Sequence, residues 1–162
     1  MNLLNRLKEM FYIEHMDKNH KFLFHGAKSR IEGKLDIHKS RTNNDLGQGF
    51  YTGERYEQAI SFISGFEKSS VYIFDFKEEG LKGKKYNVNQ EWMMTIAYYR
   101  GALEEYENHP IIKKLIEKSC DCDYIIAPIA DNRMFQIINS FIMGEITDEQ
   151  CKHCLAATNL GY

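Results

Sequence analysis

Asn43-Asn-Asp-Leu-Gly-Gln-Gly-Phe-Tyr-Thr52 is the stretch on which the reading of this 162-residue chain turns. Gly47 and Gly49 flank Gln48, so the backbone can bend sharply there and leave room for a ligand to approach. If the residues that follow are extended, Phe50 and Tyr51 point to opposite faces, one toward a core and one toward a cleft. Taken alone, the segment reads equally as a glycine-rich turn before an aromatic strand. It lacks the G-x-G-x-x-G spacing of doubly wound dinucleotide folds, and no Gly-Lys-Ser/Thr follows to cradle phosphates.

Upstream, Lys21-Phe-Leu-Phe-His25 is a short apolar strand halted by Gly26, and residues 27–47 are polar loop. Leu3, Leu4, Leu7, Met10 and Phe11 recur at helical spacing, so residues 1–20 are set apart as an amphipathic N-terminal helix. Downstream, Gln48 to Thr52 is expected to be a strand. A helix is expected from Thr52, whose hydroxyl caps it, with Tyr56, Ala59, Ile60, Ile63 and Phe66 on one stripe. Val71-Tyr-Ile-Phe-Asp-Phe76 is the clearest strand, broken by Gly80 and Gly83. Lys82, Lys84 and Lys85 read as a solvated turn, the alternative being a local basic patch.

The spacing then predicts a helix over 90–100 that carries Trp92, Ile96 and Tyr99 and is closed by Gly101. Another helix starts at Pro110. Residues 123–129 form a strand, with Pro128 at a bulge or edge. Phe135 to Ile142 form a helix ended by Gly144, and Thr147 with Gln150 makes a capping box for a last helix. Tyr162 looks like the start of one more strand. Short, few and interspersed strands favour an α+β fold over a doubly wound sheet.

Composition narrows the function classes. With 21 Lys plus Arg against 23 Asp plus Glu, the net charge is −2, not the basic surplus of a non-specific nucleic-acid binder. No apolar run approaches the ~20 residues a membrane span needs. Four cysteines without a secretory signal lead us to expect a cytoplasmic protein with free thiols. Cys120-x-Cys122 lacks zinc spacing. Cys151, Cys154 and Leu155 share one face of the last helix, as buried small hydrophobes do, so no metal is expected.

Taken in order, strand–His25–Gly26, about twenty polar residues, then Gly-x-Gly-Phe-Tyr-Thr52 and a helix containing Ala59 resembles the His–Tyr branch of the ADP-ribosyltransferase superfamily. A narrower resemblance is to the DUF3990 group, a bacterial family assigned to that fold. It is carried by Leu23-Phe-His-Gly26, Asp45-Leu-Gly-Gln-Gly-Phe-Tyr-Thr52, Gln58-Ala59, Glu91-Trp92, Arg100 and Asp123-Tyr-Ile-Ile-Ala-Pro-Ile-Ala-Asp131. The resemblance implies an ADP-ribosyltransferase-like domain over 21–162, with short strands in a split antiparallel or mixed sheet among helices.

It also implies a substrate and a site. NAD would be bound with His25 on a ribose hydroxyl, Gly26 offering its main chain to the carboxamide, and Tyr51 stacked on nicotinamide. Gly49 and Thr52 would line the same site. Cleavage of the nicotinamide–ribose bond builds positive charge on the sugar and calls for a carboxylate. The superfamily uses a glutamate there. Asp131 is the acid in view, and it reads equally as the cap of the helix that follows. Arg100 reads either as a pyrophosphate ligand or as the partner of a nearby acid. ADP-ribose would pass to an unidentified acceptor, protein or nucleic acid, as in bacterial toxins or effectors, and a neutralising antitoxin fits that picture. The alternative is a module of the same fold that binds NAD or a protein without catalysis.

Overall fold

Val71-Tyr-Ile-Phe-Asp-Phe76 has the β-branched and aromatic residues of a strand, and it lies in one. The computed structural model describes residues 21–159; the helix expected over 1–20 and the strand expected at Tyr162 lie outside them. The described chain is mixed α+β, with five α-helices and two small two-stranded sheets, in two compact units.

The first unit comprises residues 21–35 and Tyr51–Glu79. Strand β1 (Lys21–Ala27) pairs antiparallel with β2 (Ser70–Phe76), His25 opposite Tyr72 and Phe24 opposite Ile73. Helix α1 (Tyr56–Ile63) packs on one face of this sheet through Ala59 and Ile63, both buried, and Tyr56 meets Phe24 edge-on at 5.8 Å. The approach is close at Gly26. A Cβ there would run into the Ala59 carbonyl oxygen and come within 2.9 Å of Ile63 Cγ2.

The second unit comprises Asp36–Phe50 and residues 80–159. Its centre is α2 (Gln90–Tyr99), started by the Asn89 side chain, which accepts the Trp92 N–H, and ended before Gly101 at φ +84°. Trp92, Met93, Ile96 and Ala97 are fully buried, so the helix is enclosed on more than the one face expected. Around it stand α3 (Pro110–Cys120), α4 (Asn132–Ile142) and α5 (Asp148–Asn159). The capping box of α5 forms reciprocally: Thr147 N–H donates to Gln150 Oε1 and Gln150 N–H to Thr147 Oγ1. Buried Met134, Ile138, Cys151 and Leu155 join the α2 residues in one core.

Several expectations change here, each for a local reason. Gln48 to Thr52 is not a strand; one of its main-chain groups goes to a side chain, and the Gln48 side chain turns back onto the preceding loop. Gly49 N–H donates to Ser40 Oγ, and Gln48 Nε2 donates to the carbonyls of His38 and Ser40. Only Gly53, just beyond, forms an isolated bridge to Phe24. Helix α1 starts at Tyr56 behind Arg55 with no side-chain cap, so Thr52 does not cap it, and Phe66 lies past its end. The expected strand 123–129 contracts to β4 (Tyr124–Ile126), with Pro128 outside it.

Gly83 opens a strand instead of closing one: β3 (Gly83–Lys85) pairs parallel with β4. Lys84 is therefore no solvated turn residue. Its ammonium is largely buried, binds Glu91 at 2.9 Å and lies over the Tyr86 ring. Burial pulls its pKa down, but Tyr86 and Glu91 together more than offset this, leaving it above the usual lysine value. Cys151 and Leu155 are buried as expected, while Cys154 is exposed.

Asp45, Arg100 and Ala130 form the polar joint of this unit. Arg100 Nε donates to Asp45 Oδ1 at 2.7 Å, Arg100 Nη2 donates to the Ala130 carbonyl at 2.6 Å, and Ala130 N–H donates to Asp45 Oδ2 at 3.1 Å. The Arg100 guanidinium also lies 4.7 Å from the Phe135 ring centroid. Both charged side chains are less than one-fifth exposed. Asp45→Ala would strand a largely buried cation, and we expect a loss of about 3 kcal/mol in urea denaturation. A loss below ~1 kcal/mol would reduce the joint to a surface pair.

Tyr99 supplies a second brace. Gly47 sits at φ +79°, and a Cβ on it would lie 2.6 Å from Tyr99 Cε1; the Tyr99 hydroxyl is 3.0 Å from Ser119 Oγ. Burial, with the neighbouring Cys120, pushes the Tyr99 pKa up to about 12. A phenol whose folded pKa is raised stabilises the fold fully below its unfolded value of about 10 and loses that contribution as pH rises toward 12. Between pH 10 and 12 the wild type should lose more stability than Tyr99→Phe, measured by alkaline denaturation. Equal losses would contradict the buried phenol.

Candidate functional site

His25 stands in the middle of the β1–β2 sheet, with a different neighbour along each edge of β1. On one edge Phe24 exchanges both main-chain hydrogen bonds with Gly53, each 2.8 Å. On the other edge lies β2, with Tyr72 opposite His25. The Gly53 bridge does not grow into a ladder, because the next carbonyl along it goes elsewhere. Tyr51 C=O accepts from His25 Nδ1 at 2.6 Å. A carbonyl can only accept, so Nδ1 carries the proton, and in the neutral ring Nε2 is the acceptor. That is the atom matched to the proton of a hydroxyl.

Gly26 follows on the same edge as Phe24. In an extended strand the main-chain N–H and C=O of residues i and i+2 point the same way. Since Phe24 directs both groups at Gly53, Gly26 directs its own toward the edge beside Tyr51. Gly26 lacks a side chain where Ala59 passes closely behind it, and its main-chain groups are turned toward the Tyr51 edge. Tyr51 is 40% exposed, enough for its ring to meet a ligand.

The other candidate residues are placed as follows. Thr52 is exposed and lies between Tyr51 and the Gly53 bridge. Gly49 belongs to the second unit, where its N–H is taken by Ser40. Asp131 is also in the second unit; it is exposed, and its Oδ1 accepts the Met134 N–H at 2.8 Å as the cap of α4. Arg100 pairs with Asp45, a partner 55 residues away. Thus the structure joins His25, Gly26, Tyr51 and Thr52 in one unit, and Gly49 and Asp131 fall in the other.

Sequence reasoning offered Arg100 an acidic partner but did not identify Asp45, since nothing local links positions so distant. Nor did it single out Ser40, whose hydroxyl holds Gly49. Among the described residues, no three His, Cys, Asp or Glu side chains converge on a metal-sized site. The four cysteines are unpaired, and burial pushes the Cys122 and Cys151 thiols up. No helix among the described residues is long and apolar enough to cross a membrane.

The contact behind Gly26 gives a direct test. Gly26→Ala forces a methyl against the Ala59 main chain and should cost about 1–3 kcal/mol of stability, read by urea denaturation. An unchanged stability would mean that α1 does not sit this close to β1.

No curated protein matches, and no solved structure matches. The profile of a family described as "Protein of unknown function (DUF3990)" matches residues 22–161, which takes in β1, the glycine-rich segment and every later element. The chain belongs to the DUF3990 family.

Proposed function

We propose that the protein is an NAD-dependent ADP-ribosyltransferase-like domain, with NAD as its substrate and an acceptor of a class still to be identified. The observation that carries the reading is the His25 Nδ1 bond to the Tyr51 carbonyl. It brings the His25 imidazole to the main chain of Tyr51, next to the Gly26 edge of β1, and the reading adds the exposed Tyr51 ring as the third element a nicotinamide riboside requires. An imidazole Nε2 suits a ribose hydroxyl, a paired N–H and C=O suit a carboxamide, and an exposed phenol ring suits stacking on a pyridinium.

Breaking the nicotinamide–ribose bond makes the sugar oxocarbenium-like, and an enzyme gains most by a fixed negative charge there. Asp131 is the acid we assign to that role. Its Oδ1 already accepts the Met134 N–H as the cap of α4. That commitment is also what favours a second reading, an NAD-binding module that does not cleave its ligand. In the enzyme reading the protein acts in the manner of bacterial toxins or effectors, with a neutralising partner.

Calorimetric titration with NAD and chromatographic detection of released nicotinamide separate the readings. We expect saturable binding by the wild type, weakened at least ~10-fold in His25→Ala and in Tyr51→Ala. Asparagine caps helices as well as aspartate does, so Asp131→Asn keeps the fold and removes only the charge. It should leave NAD binding intact and slow nicotinamide release by about 100-fold. Binding without release would select the non-catalytic module, and absence of binding would falsify both.

A further inference from the structure

Register decides which side chains share the His25 face of the sheet. Residues directly opposite in an antiparallel pair lie on the same face. The would-be side chain of Gly26 points at α1, so Phe22, Phe24 and Gly26 face that helix and Lys21, Leu23, His25 and Ala27 face the other way. From β2, Tyr72 and Phe74 join the His25 face, opposite His25 and Leu23. Tyr72 is half-buried, its ring stacked on Phe74 with centroids 6.5 Å apart and planes 28° apart. Its hydroxyl accepts the main-chain N–H of Ile31 at 2.7 Å, so the phenol oxygen is held in place and its own proton is turned elsewhere.

We infer that Tyr72 is a ligand-contacting residue of this face and receives the adenosine half of a dinucleotide. The inference rests on the NAD reading above. The segment carrying Tyr51 and Gly53 runs along one edge of β1, and β2 runs along the other. A dinucleotide with its nicotinamide end at the Tyr51 edge and a ribose hydroxyl on His25 crosses β1, and its far half comes to Tyr72. There the ring offers an apolar wall to a ribose or purine, and the hydroxyl offers one proton to an acceptor on it. Ile31 N–H fixes this geometry and also ties the segment after β1 to the same tyrosine.

The test uses three ligands on the full chain: NAD, ADP-ribose and nicotinamide mononucleotide, which lacks the adenosine half. Tyr72→Ala should weaken NAD and ADP-ribose about 10-fold and leave nicotinamide mononucleotide unchanged. Tyr72→Phe keeps the packing and should weaken the first two about 3-fold, so it decides the matter if the alanine variant does not fold. Equal weakening of all three ligands would make Tyr72 a purely structural residue and overturn the proposal. Tyr72 variants that bind NAD like wild type, beside a weakened His25→Ala, would overturn it and leave the NAD reading standing. No NAD binding by the wild type removes the reading and this proposal together.

Discussion

The His25 imidazole donates to the Tyr51 carbonyl, and this one bond joins stretches 26 residues apart. A regular sheet would have continued from the Phe24–Gly53 pair and closed the edge of β1 with main-chain hydrogen bonds. By taking the Tyr51 carbonyl, the side chain of His25 interrupts that ladder after a single pair. The interruption has two consequences. It fixes the imidazole tautomer, and it leaves the edge at Gly26 turned toward an exposed tyrosine in place of a partner strand. The binding edge proposed above is thus an unfinished sheet. Small additions suffice: a glycine at the point of closest approach to α1, and β2 holding β1 from the other side.

The second unit depends on a different kind of constraint. Asp45 precedes the glycine-rich turn, Arg100 ends α2 and Ala130 precedes the cap of α4, so one carboxylate and one guanidinium tie together three stretches of chain. Arg100 at the end of a helix also meets the negative pole of the helix dipole. The contact of Gly47 with the Tyr99 ring fixes the same turn from another direction, and the positive φ of Gly47 is what permits it. Glycines that look in the sequence like space for a ligand are here largely accounted for by packing and by Ser40.

Much of this architecture was legible in the sequence because its signals are local. The capping box at Thr147 and Gln150, the proline opening α3, the apolar run of β2 and the glycines after α2 and α4 each act within a few residues. What escaped depends on distant partners. Gln48 to Thr52 has strand-like residues, but the Ser40 hydroxyl takes the Gly49 N–H and the Gln48 side chain is anchored on the carbonyls of His38 and Ser40. Gly83 looks like a breaker until β4 pairs with it, and Lys84 looks solvated until Glu91 and Tyr86 enclose it. At the site, the order of His25, Gly26 and Tyr51 was visible. Of the two readings open for Asp131, the cap of the following helix is observed. Tyr72 was hidden, because alternation along β2 gives a face but not the register that sets it opposite His25.

The account stands on a nicotinamide lodged between an aromatic ring and the unfinished edge of β1. A crystal structure of the protein soaked with NAD examines this most directly. The account predicts density for the carboxamide on the Gly26 N–H and C=O, with the pyridinium against the Tyr51 ring. NAD ordered on any other surface, with the Gly26 edge unoccupied, would contradict it.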